Sequence, residues 1–271
     1  MGSEFYTPLL EHPMKLKYLA LALGMACTLS VHAAGLKELR IGTDATYEPF
    51  EYKSPEGKLV GFEIDLANAL CAEMKRQCVF VESPWDALVP SLQARKFDVI
   101  VSGMTITDKR RQTVSFSDKI VDIPYRVVVK SGSGIDGSPA SMKGKKVGVL
   151  KGSTEADFAE KYYVKAGAGV QQYPSTQESY LDLVTGRVDA IIGNLVEMQA
   201  GFLEKAEGKG FEFGKYELKD QAILGYGSGA ALRKNDTKLL GEFNGALKAV
   251  IANGTYKKIA ANYFKFDVYG K

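Results

Sequence analysis

The chain has 271 residues, with 35 Lys and Arg against 32 Asp and Glu, a formal charge of +3 and 45% hydrophobic residues. The two signs are interspersed and no Lys/Arg run alternates with aromatics, which argues against a nucleic-acid partner. The two histidines, His12 and His32, both fall before the expected mature start. That excludes Ser-His-Asp and Cys-His nucleophiles and His-ligated metals, so no metal and no cofactor is expected.

Met14–Ala33 reads as a secretory signal. Lys15 and Lys17 supply the charged start, Leu19–Val31 the apolar run, and Val31-His32-Ala33 the small-residue cleavage site before Ala34. The run is too short for a membrane span, and Gly24-Met25-Ala26 before Cys27 is a poor lipidation signal. Met1–Pro13 carries Glu4 and Glu11, which do not suit a signal start, and is set aside as an extraneous extension. Roughly 240 residues then remain, enough for two small lobes or one large domain. Of the 3 cysteines, Cys71 and Cys78 stay in the mature chain. An even pair in an exported protein points to a disulfide. It requires Cys71 near the end of a helix and Cys78 on the turn beyond.

Strands and helices are expected to alternate. Glu38–Thr43 is a strand, Asp65–Lys75 an amphipathic helix, Val79–Glu82 a strand and Pro84–Ala94 a helix. Phe97–Ser102 is a strand buried on both faces. A second set follows: strand Lys146–Leu150, helix 155–166, strand Gln171–Tyr173, helix Thr176–Thr185, strand Val188–Ile192 and helix Leu195–Glu207. Ser91–Gly103, SLQARKFDVIVSG, aligns with Asp182–Asn194, DLVTGRVDAIIGN, as expected for two lobes built alike. Gly225–Leu232 and helices 237–252 and 255–263 start no third set and should return to the first lobe.

The fold class expected is therefore α/β with two lobes, each a mainly parallel sheet flanked by helices. Lobe 1 comprises 34–122 and 225–271, and lobe 2 comprises 123–224. Two hinge strands cross near Asp122–Pro124 and Lys219–Gly225 and permit lobe closure. Ligands of open parallel sheets sit beyond the carboxyl ends of the strands. Those ends are Thr43-Asp44, Ser102-Gly103, Leu150–Thr154 and Gly193-Asn194, which should meet at one cleft.

The most informative stretch is Asp98–Ile120, DVIVSGMTITDKRRQTVSFSDKI. A strand runs into small and hydroxyl residues, then into a basic helix. Arg110 offers a planar two-pronged donor suited to a carboxylate, one turn past Thr105 and Thr107. Its neighbours Lys109 and Arg111 read as surface residues. Gly152-Ser153-Thr154 opens a helix whose free N–H groups favour the same anion, while Ser153 or Thr154 can equally be a helix cap. Tyr47 and Trp85, in polar turns at strand exits, are candidates to stack on a ligand or to fill core. Asp44 beside them suggests a cationic ligand end. Glu155 reads as a capping or solvent-exposed acid, and Asn194 as a turn residue or a neutral cleft group.

These residues together resemble the periplasmic solute-binding proteins of polar amino-acid ABC importers (solute-binding protein family 3), nearest the lysine/arginine/ornithine- and histidine-binding branch. The resemblance spans the mature chain. It rests on RIGTDATYEPF (Arg40–Phe50), GFEIDLANALC (Gly61–Cys71), WDALVPSL (Trp85–Leu92), SGMTITDKR (Ser102–Arg110), FSDK (Phe116–Lys119), VGVLKGST (Val147–Thr154), GRVDA (Gly186–Ala190) and NGTYKKIAANYF (Asn253–Phe264). It implies a type II periplasmic-binding-protein fold. In it Arg110, the Thr105 backbone and Thr154 would hold an α-carboxylate, Tyr47 and Trp85 would sandwich the side chain, and Asp44 would meet the distal cation. Cys71–Cys78 would be a short disulfide; Ser102, Gly103, Ser153, Glu155 and Asn194, read from the strand exits, are further ligand-binding candidates. The implied protein is a periplasmic monomer and no enzyme. It would deliver a cationic amino acid to the membrane permease of an ABC importer.

Two departures bear on the ligand. The family usually has Asp, paired to the α-ammonium, where this chain has Asn194, and often Ser where Gly103 stands. Losing that charge should weaken simple amino acids by about 2–3 kcal/mol if it is buried. Extra room at Gly103 would suit an opine such as octopine, an N-carboxyethyl arginine. A dehydratase on the same scaffold would need a general acid, and Glu155 is the one candidate.

Overall fold

A computed structural model describes Glu4 and residues 36–270. The signal segment, Cys27, both histidines and the rest of the upstream extension lie outside the described residues. The first strand, β1 (Lys37–Thr43), runs apolar through Leu39 and Ile41, each 1% exposed. It leads into a small antiparallel sheet of β2 (Thr46–Tyr47), β3 (Glu51–Lys53) and β4 (Leu59–Val60). Helix α1 (Phe62–Glu73) follows, then β5 (Arg76–Glu82), α2 (Leu88–Gln93), β6 (Val99–Ile100), α3 (Asp108–Arg111) and β7 (Val114–Phe116). The chain then crosses into β8 (Tyr125–Lys130), β9 (Lys146–Leu150), α4 (Thr154–Phe158), β10 (Gly169–Tyr173), α5 (Thr176–Val184), β11 (Ala190–Asn194), α6 (Leu195–Met198) and β12 (Phe211–Phe213). It returns through α7 (Gln221–Leu224) to β13 (Ala231–Arg233), α8 (Thr237–Ala252) and α9 (Thr255–Ala260).

Two five-stranded sheets result, β5-β1-β6-β13-β7 and β10-β9-β11-β8-β12. They define a two-lobed α/β architecture. In the first, β1 lies parallel between β5 and β6, whereas β13 is antiparallel to both β6 and β7. In the second, β9 lies parallel between β10 and β11, and β8 is antiparallel to β11 and β12. Each sheet is thus mainly parallel, as expected, with one antiparallel strand, β13 in the first and β8 in the second. Each lobe receives a strand that arrives from the other lobe, and such a strand comes in from the cleft end and runs opposite to its neighbours. Each sheet is packed on both faces. Phe62, Leu66, Leu70, Phe243 and Leu247 fill one side of the first sheet, and Leu88, Leu92, Phe97 and Met104 the other. Val147, Phe158 and Tyr163, then Tyr180, Ile191 and Phe202, do the same for the second.

The two crossings pair with each other. Ser228 bridges both Thr105 and Val121, with Ser228 N donating to Val121 O at 2.8 Å and Ile120 N to Ser228 O at 2.8 Å. Gly227 is required there: its φ is +82°, and a Cβ would lie 2.4 Å from Val121 O. The second crossing, expected as a plain strand, contains the short helix α7, capped by Asp220 accepting from Ala222 N.

Element boundaries shift for identifiable reasons. Helix α1 begins at Phe62, because that aromatic is fully buried between Phe50, Tyr256 and Phe264. Strand β5 starts three positions earlier than expected, pairing Arg76 with Lys37, so Cys78 sits in the strand opposite Leu39 and not on the preceding turn. Cys71 in the last turn of α1 still reaches it, and the disulfide Cys71–Cys78 forms. Trp85 opens a 3-10 turn, Trp85–Ala87, and not the α-helix itself. The helices expected over 155–166 and 195–207 continue past α4 and α6 as π-type turns, Ala159–Val164 and Gln199–Leu203.

Candidate functional site

The carboxyl ends of β1, β6 and β9 converge on a narrow cleft with a free volume of about 30 Å³. Its wall contains Asp44, Tyr47, Trp85, Ser102, Gly103, Thr105, Arg110, Ser153 and Glu155 from among the expected residues. Leu150, at an expected strand end, also lines it, and so do Thr46, Glu51, Tyr125 and Thr176, which were not expected.

Arg110 is placed by a four-residue helix whose start is fixed by Thr107, the side chain accepting from Arg110 N at 3.1 Å. Its Nη1 donates to Thr105 O at 3.0 Å, and its Nη2 to Gly152 O of the opposite lobe at 3.3 Å. The guanidinium carbon lies 5.3 Å from the centroid of the Trp85 ring. Burial lowers its pKa from the usual value, with Tyr125 and Glu155 acting in the opposite direction. A buried guanidinium held by carbonyls and one aromatic face remains short of a full anionic partner, as a carboxylate-binding residue must.

The acids occupy the rest of the wall. Asp44 is 8% exposed; its backbone N–H donates to Ser102 Oγ at 2.9 Å, and its Oδ1 accepts from Thr46 Oγ1 at 2.7 Å. Desolvation raises its pKa despite the Thr46 hydrogen bond. Ser102 Oγ donates in turn to Glu51 Oε1 at 2.9 Å. Glu155, expected to cap a helix or face solvent, is 7% exposed and accepts from Thr154 Oγ1 at 3.0 Å. Burial raises its pKa also. Behind the wall, Glu63 Oε2 accepts from Gly103 N at 2.8 Å, and burial pushes its carboxyl to about 7.

Tyr125, the first residue of β8, joins the lobes: its hydroxyl lies 2.6 Å from Thr105 Oγ1 and 3.3 Å from Thr154 Oγ1. Its pKa is raised to about 12, chiefly by burial. Lys109–Asp157 at 2.7 Å, Lys151–Asp86 at 3.0 Å and Lys205–Glu48 at 2.8 Å also span the two lobes. The lobes are closed over the cleft.

Three expected residues behave differently from their assigned places. Ser153 lines the cleft and also caps α4, accepting from Ala156 N at 3.1 Å. The Thr154 hydroxyl is taken up by Glu155 and Tyr125, so this residue has only its backbone N–H to offer an anion. Asn194 does not line the enclosed cleft. Its Oδ1 caps α6 by accepting from Val196 N at 2.9 Å and Glu197 N at 3.3 Å, and the residue borders an adjoining hinge-side cavity of about 300 Å³. A short polar side chain at a strand-to-helix junction readily accepts from the free N–H groups of its own helix start.

A two-lobed α/β fold, two chain crossings and a closed interlobe cleft with a buried cation at one end define a solute-binding protein. Residues 39–266 match the model of the bacterial extracellular solute-binding proteins, family 3, and the chain belongs to that family. It is 47% identical over 254 residues to an L-arginine-binding protein of Pseudomonas aeruginosa, covering 92% of this chain and 98% of that one. It is 44% identical to the lysine/arginine/ornithine-binding periplasmic protein of Escherichia coli, covering 95% and 100%. A solved ancestral arginine-binding protein bound to arginine superposes with a TM-score of 0.79 at 36% identity, over 85% of this chain and 99% of that one. The chain is thus a periplasmic binding protein and no enzyme.

Proposed function

We propose that this protein captures an L-amino acid with a cationic side chain, of the arginine, ornithine and lysine class, and presents it as a monomer to the permease of an ABC importer. The observation that carries this is the charge of the cleft wall: Arg110 is its single cation, against the carboxyls of Asp44, Glu51 and Glu155. A ligand with one carboxylate and two positive groups matches that balance. Arg110, the Thr105 backbone and the Ser153–Thr154 N–H groups hold the α-carboxylate. Tyr47 and Trp85 flank the side chain, and Asp44 takes its cation. The names and structures of the relatives support the same ligand class. Closure is favoured by the ligand because only the closed form brings Arg110 and Gly152–Thr154 to one anion.

A second reading has its own support. Gly103 and Asn194 both border the hinge-side cavity, as does Lys219. An opine such as octopine would pass its additional carboxylate arm beside Gly103 towards Asn194 and Lys219. Calorimetric titration of refolded, ligand-stripped protein with L-arginine, L-lysine, L-ornithine, L-glutamine and octopine separates the two. Micromolar or tighter arginine or ornithine with weaker octopine supports the first; tight octopine with weak arginine supports the second. Binding of none of the five overturns both.

A further inference from the structure

The ligand cleft and the hinge-side cavity adjoin, and the residues that line both are Tyr47, Gly103, Thr105 and Tyr125. Gly103 puts no side chain into that boundary; its φ is +56°, and a Cβ there would lie 3.3 Å from the Tyr47 ring. Tyr125 closes the boundary from the other side. Its hydroxyl lies 2.6 Å from Thr105 Oγ1 of the first lobe and 3.3 Å from Thr154 Oγ1 of the second, so the phenol spans the gap between them. Its backbone is fixed: Pro124 precedes it and accepts from Leu195 N at 3.0 Å, and Tyr125 itself pairs with Asn194 across the β8–β11 ladder. Directly opposed residues of an antiparallel pair stand on one face of the sheet, so Tyr125 covers the approach from the cleft to Asn194. Beyond it lie about 300 Å³ of cavity. The acids there are already matched, Asp220 by Lys161 at 2.7 Å and by the Tyr162 hydroxyl at 2.8 Å, and Asp122 by Lys119 at 3.1 Å. Asn194 spends its oxygen on the α6 cap and keeps its amide nitrogen as a donor, and Lys219 at the edge shares an exposed link with Glu217 at 3.0 Å.

We propose that Tyr125 is a specificity-determining residue: its ring, held across the gap by the hydroxyl, shuts the hinge-side cavity off from the ligand and restricts capture to amino acids whose α-nitrogen carries no substituent. This rests on the cationic amino-acid reading above. In that pose the carboxylate lies on Arg110 and the side chain runs towards Asp44. The third substituent of the α-carbon, its nitrogen, then faces Gly103 and Tyr125. A free ammonium fits in front of the phenol, whereas an N-carboxyethyl arm has to occupy the space of the ring. Exclusion by a filled volume is a repulsive device, and removing the ring removes it. The arm then passes beside Gly103 into the cavity, where the Asn194 amide and Lys219 can donate to its carboxylate.

The test is calorimetric titration of ligand-stripped wild type, Tyr125→Phe and Tyr125→Ala with L-arginine, Nα-methyl-L-arginine and octopine. All three ligands keep the guanidinium and a protonated α-nitrogen, and they differ in the size of the group on that nitrogen. The readout is the ratio of octopine affinity to arginine affinity, which a general loss of lobe closure does not move. Wild type should bind octopine about a hundredfold or more weaker than arginine, with Nα-methyl-L-arginine about tenfold weaker. Tyr125→Phe keeps the ring, so it should weaken all three several-fold and leave the ratio within about threefold of wild type. Tyr125→Ala should raise the ratio about tenfold or more. Arginine and octopine falling together in Tyr125→Ala, with the ratio unchanged, would show that Tyr125 only fastens the lobes and would overturn the proposal. Wild type that bound octopine as well as arginine would overturn it even if Tyr125→Ala did not fold, and would leave the cationic reading intact. If wild type bound none of the three, the cationic reading itself would fail and this inference with it, an outcome distinct from an unchanged ratio in the variant.

Discussion

The Arg110 guanidinium lies over the Trp85 ring, 5.3 Å from its centroid, while its Nη1 and Nη2 bond carbonyls of opposite lobes. One side chain is thereby positioned by an aromatic of the first lobe and a loop of the second, and it meets an anion only when both are in place. Arg110→Ala should reduce the affinity for every α-carboxylate ligand by about a hundredfold or more, and Arg110→Lys should recover little of it, because an ammonium offers no planar fork. Calorimetry with arginine, lysine and ornithine checks this. A mere reordering of preference among them would contradict the clamp.

The Tyr125 hydroxyl, within 2.6 Å of Thr105 Oγ1 and 3.3 Å of Thr154 Oγ1, contributes to the closed state without any charge. Tyr125→Phe should cost about 0.5–1.5 kcal/mol of closure, a several-fold loss of affinity. Small-angle scattering at saturating ligand should still show closed lobes, and the ligand off-rate should rise.

The salt links between the lobes are exposed and each is worth about 0–1 kcal/mol. Replacing Lys109 and Lys151 together by Ala, which removes the pairs with Asp157 and Asp86, should weaken ligand less than about tenfold. Raising the salt concentration should weaken wild type in the same direction and the double variant less.

Glu63 and Glu197 make ligand-free stability depend on pH. Burial raises their carboxyls from 4.5 to about 7 and about 8. Folded protein therefore holds protons that the unfolded chain gives up above its ordinary carboxyl range. Their stabilising contribution is complete below pH 4.5 and is lost as pH rises through 7 and then 8. Melting of ligand-free protein should drop between those limits, and Glu197→Gln should flatten the drop. An unchanged slope in that variant would contradict the assignment.

Cys71–Cys78 closes a short loop at the far end of the first sheet, where Cys78 pairs with Leu39, while the cleft lies beyond Thr43 at the other end of β1. Reduction should cost about 2 kcal/mol of stability and leave the arginine affinity nearly unchanged. Denaturant melts and titrations with and without reductant would separate the two effects.

Much of the site was legible because strand exits in an alternating pattern carry their own markers. Ser102-Gly103, Thr105 and Arg110 lie within one short motif, and Asp44, Tyr47 and Trp85 each follow a strand. Glu51 was not legible: it sits in a three-residue strand that reads as polar surface, and only the fold buries it. Tyr125 stands directly after the expected crossing at Asp122–Pro124, a position that marks it as an interlobe residue, but nothing in its neighbours marks its hydroxyl as a bridge. Asn194 read either as a turn residue or as a neutral cleft group; that its Oδ1 caps α6 follows from where that helix starts.

The sequence by itself determined the alternating elements, the two similar halves, the cysteine pair and the lone Arg110 motif, since each depends on residues close together along the chain. Tertiary structure alone decided that β13 enters the first sheet antiparallel, that Cys78 lies in β5, and that Glu51, Glu63 and Glu197 are desolvated behind the cleft. Desolvation and strand direction arise from contacts between segments far apart in sequence, and no local pattern encodes them.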